Sequence, residues 1–104
     1  MPLERIQPRG LKRWPQLTQV IKAGGTVYIA GQGAMDQDGQ LVGRDDITAQ
    51  ATQTFENLKL ALAAAGADLS NLVKITMYAT DVAFLQPIAQ VRRQYLGSPD
   101  RERA

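Results

Sequence analysis

Gly24-Gly25-Thr26-Val27-Tyr28-Ile29-Ala30-Gly31-Gln32-Gly33 is the stretch that decides how this chain is read. A Gly-Gly pair between two β-prone runs supplies the positive φ angles of a two-residue hairpin turn. Leu17 to Lys22 is therefore predicted to be one strand and Thr26 to Ala30 its antiparallel return. Gly31 follows at the strand end, where a missing side chain either lets a ligand approach the backbone N–H and C=O or marks a bulge. Gly31-Gln32-Gly33 is not a phosphate loop, because it lacks both the glycine count and the helix start of a nucleotide fingerprint.

Downstream, Asp38-Gly39 reads as the centre of a second turn. Asp45-Asp46 then stand where acids suit the positive end of a helix. Ile47, Ala51, Phe55, Leu58, Leu62 and Ala65 recur at helical spacing with Gln50, Gln53, Glu56 and Lys59 opposite them, and Gly66 is placed to stop the helix in a left-handed cap. Leu72 to Thr80 alternates as a strand does. Val73, Ile75, Met77 and Ala79 are predicted to lie under the helices, with Leu72, Lys74, Thr76, Tyr78 and Thr80 on a face suited to another subunit. Phe84 to Leu96 forms a second helix with Leu85, Ile88, Val91 and Tyr95 inward, Pro87 in its first turn and Gly97 as its stop. Residues 1–16, with Pro2, Pro8 and Pro15, read as an extended basic arm ending in a short edge segment, and Trp14 is expected to pack as a core anchor. Residues 98–104 read as a charged tail. The whole is one α+β domain, 1–104, with two helices on one face of a sheet.

Composition removes several kinds of chemistry. The chain has no cysteine and no histidine, so disulfides, thiolate nucleophiles, imidazole bases and the usual zinc ligands are excluded. A net charge of +2 creates no field that demands a polyanionic partner. Arg5, Arg9, Lys12 and Arg13 near one end, and Arg92, Arg93, Arg101 and Arg103 near the other, read as solvated ends. Asp36, Asp38, Asp45 and Asp46 read as turn and helix-start residues rather than a metal site. Without a His or a Lys/His pair there is no apparatus for phosphodiester cleavage, and nucleic acid is not an expected partner. No run is long and apolar enough for a signal peptide or a membrane span, so a cytoplasmic protein without a membrane partner is expected.

From about Leu17 to Gly97 the order of these elements resembles the RidA/YjgF family, the reactive-intermediate deaminases also described as endoribonuclease L-PSP. The resemblance implies a chorismate-mutase-like layer with a mixed β-sheet. It also implies a homotrimer whose open sheet faces form a central barrel, with small-molecule clefts between subunits. The implied activity is hydrolysis of a 2-imino acid or its enamine to a 2-keto acid and ammonia, without a cofactor. In the family an arginine clamps the carboxylate and a glutamate on a final strand positions water. Pro99-Asp100-Arg101 matches the family's Pro-Ala-Arg at two of three positions, and the sequence stops before the strands that follow it there. Arg101 and Gly31 are the implied substrate-binding residues. Leu17, Ala30 and Ala89 stand at the family's cleft-lining tyrosine, serine and asparagine, and each replacement deletes a polar group. No residue here is assigned the catalytic role. A non-catalytic trimeric binding or regulatory module of the same fold is the alternative, and nucleic-acid binding with ribonuclease action, resting on the older family label, is a third.

Overall fold

The computed structural model describes residues 2–97. Strand β2 (Val20–Ala23) turns through Gly24-Gly25 into β3 (Thr26–Ile29), and β1 (Leu3–Ile6) pairs with the other side of β2. Both ladders are antiparallel, and Ile6 and Ile29 flank Val20. Of the two turn glycines only Gly24 has a positive φ, 60°. That is the pattern of a hairpin turn needing glycine at its first central position alone. The arm is thus tied into the sheet at its start, by β1, rather than at its end. The strand expected from Leu17 begins only at Val20, because Leu17 still closes a turn onto the Trp14 carbonyl.

Alternation along the strands sorts the side chains. Val20 is fully buried, and Ile6, Val27 and Ile29 pack beside it against Leu11, Ala61 and Ala65. Leu3, Arg5, Ile21 and Tyr28 fall on the opposite face, where Tyr28 is 62% exposed.

Helix α1 (Ile47–Ala64) begins where the acids were expected: the Asp46 carboxylate accepts the Ala49 N–H at 3.0 Å. It ends in a Schellman arrangement. Gly66, at φ 78°, donates to the Ala63 carbonyl at 3.0 Å, and Ala67 donates to Leu62 at 2.9 Å. Two rows of α1 are buried. Ala51 and Phe55 face helix α2 (Leu85–Leu96), while Ala61 and Ala65 face the sheet.

Helix α2 packs along α1 through Val91 and Leu96, both buried, with Ile88 and Tyr95 at the margin. Leu85 was expected inward but is 55% exposed. The 3₁₀ turn Val82–Phe84, capped by Asp81, enters the helix at three residues per turn, so the apolar face set by α periodicity slips at its first turn and Leu96 fills the far end.

Leu72 to Thr80 departs furthest from expectation. It forms no ladder with any described strand, so the described sheet is antiparallel throughout rather than mixed. Leu72 and Ile75 pack half-buried beneath the helices, whereas Val73 is 75% and Tyr78 92% exposed. Alternating side chains make a segment competent to be a strand, but a neighbouring row of N–H and C=O groups makes it one.

A polar cluster edges the contact between helices. Tyr95 donates its hydroxyl to Glu56 at 2.6 Å, its ring stacks on Phe55 with centroids 5.1 Å apart, and Lys59 lies 3.5 Å from the same carboxylate. The bond to Glu56, aided by burial, raises the Tyr95 hydroxyl from 10.0 to about 12. The same bond, with help from Lys59 and against some desolvation, lowers Glu56.

Replacing Phe55 with Ala is expected to cost about 3–5 kcal/mol in urea unfolding, the range for deleting a buried aromatic side chain. Tyr95 ionises in the unfolded chain before it does in the folded one, so its contribution is complete below pH 10 and is lost as pH rises through about 12. The stability gap between the natural protein and Tyr95→Phe should therefore close across that interval, as followed by urea midpoints at successive pH values.

Candidate functional site

The loop from Gly31 to Met35 leaves β3 and runs over α1, and two buried amides set its course. Asn57 of α1, 4% exposed, donates to the carbonyls of Gly33 at 2.9 Å and Met35 at 2.7 Å, and accepts from Gln53 at 2.8 Å. Both its protons and its oxygen are engaged. Gln19, equally buried, donates to the Lys12 carbonyl at 3.1 Å and accepts from Gln32 at 2.8 Å. Gln32 also donates to the Ala30 carbonyl at 3.1 Å. A buried amide left unpaired is costly, so these bonds fix the loop against both the helix and the segment before β2.

Between this loop and residues 11–14 lies a groove of about 220 Å³. Its ionisable residues are Lys12 and Asp36. Lys12 holds its ammonium 5.7 Å from the centroid of Trp14. The Asp36 carboxylate accepts the N–H groups of Asp38 and Gln40 at 2.9 Å each, which commits it to the turn. Gly31 is free for a ligand: its backbone groups pair with no described residue, and a Cβ built there would meet nothing within 4 Å.

Trp14 is also a wall of a second groove, about 440 Å³, shared with Arg5, Arg13, Leu17 and Thr18. Trp14 is 39% exposed, so it is a partition between grooves rather than the core anchor expected from its sequence setting. Leu11, three residues earlier, takes the buried place instead.

The expected site residues are therefore dispersed. Gly31 lines the first groove and Leu17 the second. Ala30 is half-buried, with its N–H bonded to the Gln19 carbonyl at 2.9 Å. Ala89 is half-buried on α2 and lines neither groove, while Arg101 lies outside the described residues. Asp36 and Asp46 serve as turn and cap, and no three His, Cys, Asp or Glu side chains converge among the described residues. Nor is any described helix long and apolar enough to cross a membrane. What sequence reading missed are the amides of Gln19, Gln32 and Asn57. A signal for Asn57 exists: it heads the row Asn57, Ala61, Ala65, at steps of four, as that row's polar member.

Asn57→Ala removes both donors and strands two loop carbonyls, and it should cost about 1–3 kcal/mol in urea unfolding. Hydrogen exchange should show the loss of protection concentrated in the segment from Gly31 to Met35.

The sequence family described as Endoribonuclease L-PSP matches residues 10–104. The chain is 38% identical over 81 residues to a RutC family protein of Pyrococcus horikoshii, covering 77% of this chain and 64% of that protein. It is 34% identical over 82 residues to a human protein named 2-iminobutanoate/2-iminopropanoate deaminase, covering 78% and 59%. The match thus spans less than two thirds of the length of either relative. Among solved structures, RidA from an Antarctic Psychrobacter superposes with a TM-score of 0.85 at 34% identity, over 97% of this chain and 82% of that one. Yeast Mmf1 superposes at 0.90 with 24% identity, over 99% and 82%, which attests the fold. With its hairpin, its two packed helices and a sequence match across nearly its whole length, the chain belongs to the RidA/YjgF family, the family of endoribonuclease L-PSP.

Proposed function

We propose that this protein is a RidA-like hydrolase acting on 2-imino acids or their enamine tautomers in the cytoplasm, as a homotrimer with its ligand clefts between subunits. The observation that carries the reading is the 34% identity to the human protein named 2-iminobutanoate/2-iminopropanoate deaminase. In the reaction water adds to the iminium carbon, the C–N bond breaks, and the oxygen's protons leave with nitrogen as ammonium, giving a 2-keto acid. The chemistry needs a donor and an acceptor beside the reacting carbon. The unpaired N–H and C=O of Gly31 supply both at a point where a ligand can approach closely. Arg101 is the family-position candidate for the substrate carboxylate, and Leu17, Ala30 and Ala89 would make the cleft walls apolar.

A second reading, a trimeric module that binds a small metabolite without transforming it, is favoured by one specific observation. Asn57 has both its donors committed to the loop, and Gln19 gives one donor to the Lys12 carbonyl and its oxygen to Gln32, so these buried amides hold the loop and leave little to orient water.

Freshly generated 2-iminobutanoate supplies the test. The hydrolase reading expects faster ammonia release than buffer alone from a sample whose light scattering gives three chains per particle. A trimer that leaves the imine's lifetime unchanged selects the binding module. Gly31→Ala sharpens the test, since the added methyl group has room in the fold but stands in the ligand's path. It should leave the urea midpoint unmoved and lower kcat/KM by about tenfold or more, the worth of one charge-assisted hydrogen bond.

A further inference from the structure

We propose that the segment from Leu72 to Thr80 is an interaction edge that pairs, antiparallel, with the same segment of a second copy of this chain. Among the described residues, no backbone N–H or C=O group from Val73 to Thr80 finds a hydrogen-bond partner. A run of open donors and acceptors with the side-chain alternation of a strand is a template for a further strand, and proteins that keep such an edge single blunt it with proline or with several charges. This one has no proline and a single charge, Lys74. It is also held in place: Leu72 and Ile75 pack half-buried against the helices, so the core presents the edge.

The sequence of the segment favours its own kind as partner. In the antiparallel register that overlaps its full length, Thr76 meets Thr76, Lys74 stands opposite Tyr78, Val73 opposite Ala79 and Ile75 opposite Met77. Val73, Ile75, Met77 and Ala79 thus meet apolar partners, and the one cation lies across from an aromatic ring that attracts it. Tyr78, 92% exposed, and Val73, 75% exposed, are open to these contacts. A parallel in-register pair would set Lys74 beside Lys74, so charge selects the antiparallel arrangement. One strand pair is a small interface, of the class that forms and separates with concentration. It runs in the plane of the segment and leaves both faces open to the proposed trimer. It needs no ligand, so it goes beyond the hydrolase reading and does not rest on it.

The chain has no cysteine, so introduced thiols report the register without background. Directly opposite residues of an antiparallel pair stand about 4.5 or 5.5 Å apart at Cα, both within disulfide reach. Under mild oxidation a mixture of Val73→Cys and Ala79→Cys chains should give the mixed disulfide dimer. Neither variant alone should cross-link, since its two thiols lie at opposite ends of the pair. Light scattering of the natural protein should show the particle mass double as concentration is raised. Thr76→Pro and Met77→Pro remove one N–H from each edge of the segment, so one of the two should abolish the doubling. Both should leave the urea midpoint unmoved, because neither removes a bond that the described chain makes to itself. Cross-linking of either cysteine variant alone as readily as of the mixture, a mass fixed as concentration rises, or doubling that survives both prolines would overturn the inference. Hydrogen-exchange protection of Val73 to Thr80 in a particle that does not double would assign the edge to a different strand and overturn it as well. Imine hydrolysis decides none of these outcomes, so the hydrolase reading stands or falls separately.

Discussion

The side-chain amide of Asn57 is the contact on which the groove depends. It sits inside the packed row of α1, where a carboxamide without partners would oppose folding, and it is satisfied only if the loop brings the carbonyls of Gly33 and Met35 to it. The dependence runs both ways. Those carbonyls, crossing a helix without a ladder, find their donors in one residue. The loop's path, and with it the exposed backbone of Gly31, is thereby a consequence of where α1 lies.

α1 in turn is placed by two apolar contacts of different character. Small residues, Ala61 and Ala65, let it approach Val20 and Leu11 closely, whereas Phe55 fills the larger gap to Val91 and Leu96. A chain of 104 residues has little more core than this. Much apolar surface is left over, with Tyr28 on the open face of the sheet and Val73 and Tyr78 on the unpaired segment after α1. Exposed carbon surface of that kind suits contact with further protein, and it is the physical support for the proposed association of copies.

The elements were legible where a local rule decides them. Gly24-Gly25 dictates a hairpin, Asp46 and Gly66 bracket α1, and Gly97 ends α2, because caps and turns are chemistry between near neighbours. Pairing was not legible. Leu72 to Thr80 has the alternation of a strand, but its status depends on a partner that alternation does not specify. The phase of α2 was misread at Leu85 because a 3₁₀ turn precedes the helix, and Trp14 because bulk alone does not say which side of a segment faces inward. At the candidate site the open backbone of Gly31 was legible, since a glycine after a strand leaves room beside it. Gln19 was not, because a polar residue reads as surface until its buried partners are known; for Asn57 the buried row it heads is a signal of burial, but its partners are backbone carbonyls that no sequence pattern marks.

A crystal structure of the protein with 2-oxobutanoate tests the placement of the site most directly. The account predicts the keto carbon beside the N–H and C=O of Gly31, in the groove walled by Trp14, Gln32 and Gly33. A keto acid held at saturation elsewhere on the fold, leaving Gly31 without contact, would contradict it.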